Sequence, residues 1–390
     1  MISVREAKKI VSELNITTKK VEIPLTEAMG FVLSEDILSP INMPPFDQSA
    51  MDGYALKYGQ GLSYNIVGEV QAGSSMHPKL KYGEAVRIFT GSAVPSDADA
   101  IIMQEKTKQK GSKLLIDEKP FKKQNIRPCG EQIKTGEIAL KKGTLINPAA
   151  IGFLAGLGIE YVSVYEKPNI SIIATGNELV RAGNKLKRGQ IYESNCIMLE
   201  SVIKSNGFEI QASFHIKDNY TQTIDTIKQL IKTNKFIIIS GGISVGDYDF
   251  VGKALAELDV HQLFYKVRQK PGKPIFMGRK GDCTIFALPG NPAASLSCFY
   301  EYVLTALKLA AGEKDFSLKK LFLPLVDTYN KKGDRAHFLK AKIIKKGVQI
   351  LSKQSSAMLF SFAEANALVY IPEDKYFTQK GELVEVHLLP

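Results

Sequence analysis

Residues 236–250 read FIIISGGISVGDYDF, and this stretch indicates the fold of the chain more clearly than any other. Its first four residues are apolar and predict a short buried strand. Glycines, hydroxyls and carboxylates follow in a turn, at Ser240, Gly241, Gly242, Ser244, Gly246, Asp247 and Asp249. Glycines let a backbone approach an anion closely, and carboxylates suit a hard cation such as Mg²⁺. The stretch therefore predicts either a phosphate site with a cation or a tight strand-to-helix turn with solvated acids.

Strand and helix patterns alternate on both sides of this stretch. We expect strands at 170–174, 236–240 and 284–288, and helices at 194–206, 221–233, 250–258 and 292–311. This order predicts a parallel, doubly wound sheet with helices on both faces. Such sheets bind ligands at the carboxyl ends of their strands. Three glycine-containing loops, at 175–178, 240–249 and 289–292, are expected to meet there.

The remainder of the chain has a different character. Residues 4–14 predict a helix, and Ser3 with Glu6 has the spacing of a capping box. Short β patterns separated by turns fill residues 64–145, as in a small all-β domain. A helix pattern at 148–158 follows, and residues 318–390 alternate again, which predicts a compact barrel or sandwich.

Composition excludes several classes of protein. The chain has 390 residues, 44% hydrophobic and 23% charged, which is typical of globular proteins of about two to four domains. No apolar run approaches the ~20 residues of a membrane helix, and the N-terminus lacks an apolar signal core, so we expect a cytoplasmic protein without a membrane partner. The four cysteines are widely spaced without a C-x-x-C pair, which argues against disulfides and a zinc site.

The net charge of +11 suits either nucleic acid or a small anionic substrate. The sequence has no basic helix, no RNA-binding aromatic motif and no zinc finger. Its lysines occur mostly as short pairs of the kind found on solvated surfaces. We therefore expect no nucleic-acid partner.

Two further segments carry unusual residues. Residues 44–55 read PPFDQSAMDGYA, which is either a packed turn capped by Asp52 or part of a site. Residues 267–278 read VRQKPGKPIFMG, in which Lys270 and Lys273 flank Pro271 and Gly272. Paired lysines on a rigid turn suit a compact oxyanion, although exposed lysines are usually only solvated.

These motifs together resemble a known family. PPFDQSAMDGYA, RIFTGSAVPSDADAIIMQE, SGGISVGDYDF, KPGKP and LPGNP occur in this order in molybdopterin molybdenumtransferases, which include bacterial MoeA proteins and the E domain of gephyrin. The resemblance implies an L-shaped homodimer. Its subunit has an elongated α+β domain (1–40 with 133–166), an inserted β domain (41–132), a central doubly wound α/β domain (167–312) and a C-terminal β-barrel (318–390).

The resemblance also implies an activity. The family inserts molybdenum from molybdate into the dithiolene of adenylylated molybdopterin, with Mg²⁺-dependent release of AMP. The active site lies between the α/β domain of one subunit and the inserted domain of the other. Expected partners are the molybdopterin adenylyltransferase and molybdoenzyme-maturation proteins.

The family motifs assign roles to residues of this chain. Asp218 and Asp249 are expected to hold Mg²⁺ with help from Glu178, and Gly241, Gly242 and Ser244 to contact the pterin or phosphate. Lys270, Lys273, Arg335 and Ser356 resemble the molybdate-binding residues, and Pro289 and Pro292 shape the pocket. Asp52 and Thr90 complete the site across the dimer. Taken alone, Asp218 could equally be a turn residue, and Arg335 an arginine on a surface strand.

Three positions depart from the family pattern. Gln48 replaces a usual Asn, Gln132 a usual Asp and Ala294 a usual Ser, and Ser295 next to Ala294 need not point the same way. The departures at Gln132 and Ala294 keep a second interpretation open, a binding or scaffold paralogue without activity. A third is a relative on the same α/β fold that adenylylates molybdopterin with ATP, but residues 44–55 and the C-terminal β segment favour the insertion enzyme.

Overall fold

The computed structural model describes residues 1–16, 19–76, 78–243 and 250–390, and the chain divides into two compact units. The large unit comprises Met1–Glu22, Gly30–Ser34 and Ser163–Pro390, and the small unit comprises Ile23–Met29 and Glu35–Val162. The four predicted domains are finer than this division, and their boundaries stay a prediction. Within the described ranges, no helix is long and apolar enough to cross a membrane.

A six-stranded sheet lies at the centre of the large unit. Its order from edge to edge is Ile210–Ile216, Ile170–Thr175, Phe236–Ser240, Cys283–Leu288, Phe276–Lys280 and His261–Tyr265. The first four strands are parallel, and the last two join the sheet through antiparallel pairings. The expectation of a parallel sheet is therefore corrected at one edge. The two antiparallel strands read HQLFY and FMGRK, and their polar residues hide the strand pattern.

Helices pack on both faces of this sheet, as the sequence predicts. Successive side chains of a strand point to opposite faces, so Ile238 joins one apolar cluster while Ile237 and Ile239 join the other. The first cluster receives residues from helices Val4–Ser12, Asn195–Ser205, Pro292–Cys298 and Leu304–Ala310. The second receives residues from helices Tyr220–Thr233 and Phe250–Glu257. A π-helical segment, Phe299–Val303, connects the last two helices of the first group.

The N-terminal helix belongs to this core. Its predicted capping box is confirmed: Glu6 N donates to Ser3 Oγ (3.2 Å) and Ser3 N donates to Glu6 Oε2 (2.8 Å). Val4, Ala7 and Val11 are buried in the same cluster as the central strands. The helix Val4–Ser12, which the prediction placed in the elongated domain (1–40 with 133–166), thus packs within the large unit.

A second six-stranded sheet forms from the C-terminal part of the chain. Its strands are Gln269–Lys270, Ala336–Ile344, Ala367–Ile371, Leu383–Leu388 and Lys320–Pro324 in that order, with Gly347–Ile350 also paired to the second. Helix Phe360–Glu364 and the paired short strands Tyr329–Asn330 and Phe377–Thr378 accompany it. The first strand comes from the KPGKP region and aligns Lys270 with His337. Closure of this sheet into a barrel stays a prediction.

The small unit contains a third six-stranded sheet, as the β pattern of residues 64–145 predicts. Its order is Ala100–Met103, Gly53–Leu56, Glu84–Ile88, Ser63–Val70, Lys113–Ile116 and Thr107–Lys110. The small unit also contains the helix Pro148–Gly156 and two strand pairs. The pairs are Gln48–Ser49 with Ile126–Arg127 and Ile37–Leu38 with Ile138–Leu140. The other elements among the described residues are the strands Lys20–Pro24, Tyr161–Tyr165, Leu179–Val180 and Ile191–Tyr192 and the 3₁₀ helices Leu25–Glu27 and Gln104–Lys106.

Candidate active site

A cleft of about 520 Å³ opens at the carboxyl edge of the central sheet. The three loops that the sequence places at this edge all contribute to its walls. The predicted site residues among its lining are Glu178, Asp218, Gly241, Gly242 and Pro289. The structure therefore brings together five residues that span more than a hundred positions of the chain, because parallel strands end at one edge of a sheet.

Three carboxylates line the cleft, those of Glu178, Glu193 and Asp218, and Glu193 Oε1 accepts from Cys196 N (2.8 Å). Asp218 follows the strand Ile210–Ile216, and its Oδ2 accepts from Asn177 N (3.2 Å), while Asn177 Oδ1 accepts from Asp218 N (3.2 Å). Glu178 is exposed on the neighbouring loop. Among the residues that the structure describes, no three His, Cys, Asp or Glu side chains lie close enough together to hold a metal ion by themselves. Asp218 and Glu178 still fit Mg²⁺, because this ion commonly uses one or two carboxylates together with substrate phosphates.

Asn195 is a cleft residue that the sequence analysis missed. Its Nδ2 donates to Ser240 Oγ (2.8 Å) and to the carbonyl oxygen of Gly290 (2.7 Å), so it joins two of the three loops. Its Oδ1 is buried and finds no hydrogen-bond partner among the described residues, and the same is true of Thr175 Oγ1. Both residues line the cleft. Asn195 looks like an ordinary helix-start residue in the sequence, so only the fold indicates its position.

The glycine turn lies against the end of a neighbouring strand. Gly241 has φ of +88°, and a Cβ at this position would lie 2.7 Å from the carbonyl oxygen of Thr175. Only glycine satisfies both the backbone conformation and this close approach. The requirement for glycine that the motif suggested is therefore a packing requirement at the wall of the cleft.

The Lys270–Lys273 turn is rigidly held, while its two lysine side chains are exposed. Val267 N donates to the carbonyl oxygen of Lys273 (3.0 Å), and the side chain of the fully buried Gln269 donates to the carbonyl oxygen of Pro271 (3.1 Å). In the described part of the chain, neither lysine has a carboxylate within ion-pair distance. The turn therefore presents two uncompensated ammonium groups.

Arg335 lies beside this turn. Its Nη1 contacts the carbonyl oxygen of Gln269 at 3.5 Å. Lys331 is buried and donates to the carbonyl oxygens of Gly333 (2.8 Å) and Arg335 (3.1 Å), which holds the segment that carries the arginine. Arg335 is thus placed by tertiary contacts, unlike a freely solvated arginine on a surface strand.

A neutral histidine accompanies these cations. Burial, together with the charges of Lys270, Lys331 and Arg335, lowers the pKa of His337 to about 4. Its Nδ1 pairs with the hydroxyl of Tyr329 (2.8 Å). Clustered cations create a positive potential, and this potential attracts an oxyanion.

Ser356 approaches the cleft through the LPGNP loop. Asn291 Nδ2 donates to Ser356 Oγ (3.0 Å), and Ala294 N donates to the carbonyl oxygen of Ser356 (3.1 Å). Asn291 itself lines the cleft, whereas Pro292 begins the helix behind it. The structure therefore links Ser356 of the C-terminal part to the carboxyl edge of the central sheet.

Asp52 and Thr90 form a pair in the small unit. Thr90 donates from its backbone N (2.7 Å) and from its Oγ1 (2.8 Å) to the same Oδ1 of Asp52. These hydrogen bonds lower the pKa of Asp52, and Arg87 adds a smaller effect. The two residues that the family motifs single out are thus in contact and exposed. Ser244 and Asp249, the other two predicted site residues of the glycine loop, lie outside the described residues.

Comparisons with known proteins cover nearly the whole chain. Residues 2–158 match the MoeA N-terminal region (domain I and II), residues 171–309 the family described as "Probable molybdopterin binding domain" and residues 323–389 the MoeA C-terminal region (domain IV). The molybdopterin molybdenumtransferase of Staphylococcus epidermidis is 32% identical to this chain, over 99% of this chain and 95% of that protein. The molybdopterin molybdenumtransferase of Haemophilus influenzae is also 32% identical, over 100% of both chains. The chain belongs to the molybdopterin molybdenumtransferase family.

A solved structure agrees with this membership. The molybdopterin biosynthesis MoeA protein from Pyrococcus horikoshii has a TM-score of 0.85 with 30% identity, covering 100% of both chains. The family is one of transferases in molybdenum cofactor biosynthesis, and the resemblance based on motifs is thereby confirmed. The MoeA-like multidomain fold is confirmed with it, and its central domain is the one that matches the "Probable molybdopterin binding domain" family.

The departures from the molybdenumtransferase pattern have different structural settings. Ser295 is completely buried and its Oγ has no hydrogen-bond partner among the described residues, so it does not replace the hydroxyl missing at Ala294. Gln132 is exposed, and its backbone N donates to Met43 O (2.9 Å). Gln48 is half-buried and paired through its backbone with Arg127.

Proposed function

We propose that this chain inserts molybdenum from molybdate into the dithiolene of adenylylated molybdopterin and releases AMP in a Mg²⁺-dependent step. The observation that supports this most is the hydrogen bond that joins the cleft of the central sheet to Ser356, one of the expected molybdate-binding residues. A cleft with carboxylates and glycines lies at the carboxyl edge of the sheet, and Asn291 of that cleft is bonded to Ser356. Phosphate chemistry and oxyanion binding are the two parts of such a reaction.

The carboxylate side of the cleft would bind the adenylylated phosphates. Asp218 and Glu178, with Asp249, would hold Mg²⁺, and the ion would offset negative charge as the P–O bond to AMP breaks. The backbone at Gly241 and Gly242, with Ser244, contacts the pterin or phosphate. Pro289 and Pro292 shape the wall behind them.

The cationic side would bind the second substrate. Lys270, Lys273 and Arg335 with the hydroxyl of Ser356 supply charge and hydrogen-bond donors to tetrahedral molybdate. In the proposed homodimer, Asp52 and Thr90 of the partner subunit complete the site. The proposal includes a cytoplasmic location and partners in the pathway, the molybdopterin adenylyltransferase and molybdoenzyme-maturation proteins.

The deciding experiment measures AMP. The purified chain is incubated with adenylylated molybdopterin and Mg²⁺, with and without molybdate. Molybdate-dependent AMP release supports the proposal. Synthesis of adenylylated molybdopterin from ATP would identify an adenylyltransferase instead, and binding without turnover would identify a scaffold.

Asp218→Asn will reduce AMP release about 100-fold or more, because it removes a charge placed at the reacting phosphate. The dissociation constant of adenylylated molybdopterin will change much less. Asp225→Asn is the matched control, since Asp225 is an exposed carboxylate on the helix Tyr220–Thr233. Similar turnover in the Asp218→Asn variant and the wild type would remove Asp218 from the site.

Gly241→Ala will raise the KM for adenylylated molybdopterin about tenfold. The new Cβ would meet the Thr175 carbonyl oxygen, and the left-handed conformation adds strain of about 1–3 kcal/mol, so the turn shifts. Gly281→Ala is the control, because Gly281 also has positive φ (+57°) but a Cβ there meets nothing within 4 Å. Equal KM values for the two variants would show that the close approach at Gly241 is unimportant.

A further inference from the structure

A buried polar cluster lies directly under the Lys270–Lys273 turn. Gln269 and Tyr302 are both completely buried, and the hydroxyl of Tyr302 donates to Oε1 of Gln269. Nε2 of Gln269 donates to the carbonyl oxygens of Pro271 (3.1 Å) and Gly272 (3.4 Å). One amide side chain therefore holds the two residues that separate the lysines.

The same residue also contacts the third cation. The carbonyl oxygen of Gln269 faces Nη1 of Arg335 at 3.5 Å, and Gln269 is aligned with Ala336 in the parallel strand pair. Lys270, Lys273 and Arg335 are thus all tied to Gln269, the lysines through the turn and the arginine through the backbone.

The helix Pro292–Cys298 packs closely against this cluster through Cys298. Cys298 Sγ lies 3.5 Å from Nε2 of Gln269 and 3.8 Å from the carbonyl oxygen of Gly272. A Cβ at Gly272 would overlap Cys298 Sγ. Tyr302 belongs to the π-helical segment Phe299–Val303, and such segments are frequent at functional sites. The turn therefore rests on the helix that begins at the LPGNP loop.

We infer that Gln269 and Tyr302 form a positioning pair that sets the spacing of the three oxyanion-binding cations. The pair does not touch the oxyanion. Tyr302 fixes the orientation of the Gln269 amide, the amide fixes the turn, and the turn fixes the ammonium groups. This inference rests on the proposed function, since it takes the cations to be a molybdate site.

The test separates positioning from stability. Molybdate binding is measured by calorimetry, and thermal unfolding by circular dichroism, for Gln269→Met, Tyr302→Phe and the double variant. Both single variants leave a buried polar group without a partner, so both will be destabilised. The double variant will recover stability relative to Gln269→Met, because the Tyr302 hydroxyl is then absent as well.

Molybdate affinity will follow a different order. Gln269→Met will weaken it about tenfold or more and Tyr302→Phe severalfold, and the double variant will stay as weak as Gln269→Met because the turn carbonyls still lack their donor. Tyr300→Phe, on the same segment, is the control and will bind like the wild type. Affinity that recovers together with stability in the double variant, or wild-type affinity in Gln269→Met, would overturn the inference. A wild-type chain that binds no molybdate would instead overturn the proposed function on which it rests.

Discussion

Lys273→Ala will raise the KM for molybdate in the AMP-release assay by about 10- to 100-fold. A hydrogen bond to a charged group contributes about 1.5–3 kcal/mol, and one such bond to the dianion is lost. The rest of the turn will stay in place, because Lys273 is held through its carbonyl oxygen, which accepts from Val267 N at 3.0 Å. The KM for adenylylated molybdopterin will change little.

Lys280→Ala provides the comparison for this variant. Lys280 lies in the same unit at the end of strand Phe276–Lys280 and pairs with Asp259 at 3.6 Å. Its loss removes the same charge from the protein without touching the turn. If the KM for molybdate rises equally in both variants, the effect is one of net charge and Lys273 is not a molybdate ligand.

Glu301→Leu will lower the free energy of unfolding of the large unit by about 3–5 kcal/mol. The Glu301 carboxylate is almost completely buried and pairs with Lys8 of the N-terminal helix and with His387 Nδ1 (2.7 Å). His387 Nε2 contacts Glu385 Oε1 at 2.7 Å, and Glu385 pairs with Lys320 at 2.7 Å. Removing the central carboxylate leaves an ammonium group and a buried imidazole without their partner.

Urea unfolding followed by far-UV circular dichroism measures this loss, since the chain has no tryptophan. Lys9→Ala is the matched control on the same helix, because the Lys9–Glu13 pair (3.8 Å) is exposed. Its loss will cost less than about 1 kcal/mol. A Glu301→Leu variant as stable as Lys9→Ala would contradict the structural role of the buried network.

The same network predicts a pH dependence. Burial alone would raise the pKa of Glu301, but the charges of Lys8 and His387 outweigh it and lower the pKa to about 2 from its usual 4.5. The stability that Glu301 contributes is therefore complete above about pH 4.5 and is lost as the pH falls toward 2. The difference in unfolding free energy between the wild type and Glu301→Leu will shrink over this acidic range.

Much of the fold follows from local sequence patterns. The strands Ile170–Thr175, Phe236–Ser240 and Cys283–Leu288 are predicted within one residue because they are continuous apolar runs between turn signals. The strand Ile210–Ile216 is missed, since it alternates half-buried and exposed residues at the edge of the sheet. Long helix 292–311 is predicted as one element, while the structure divides it at the π-helical segment Phe299–Val303.

The candidate site divides in the same way. Glycines, lysines and carboxylates in contiguous motifs can be found by reading the chain, and the rule that ligands bind at strand ends predicts that the loops at 175–178, 240–249 and 289–292 share a cleft. The expected role of Asp218 comes only from the family motifs, because the strand before it is missed. Asn195 and Tyr302 carry no local signal, because an Asn at a helix start and a Tyr in an apolar helix are ordinary residues. Their roles depend on what faces them across the fold.

The sequence by itself determined the family, the parallel core strands and the loops that carry the chemistry, because each of these depends on neighbouring residues in one short segment. Only the tertiary structure decided that Ser295 is buried, that Gln269 is bonded to the Lys270–Lys273 turn, and that Tyr302 is bonded to Gln269. Residues 269 and 302 are 33 positions apart. Contacts of this kind form when the π-helical segment packs beneath the turn, and no pattern along the chain records that approach.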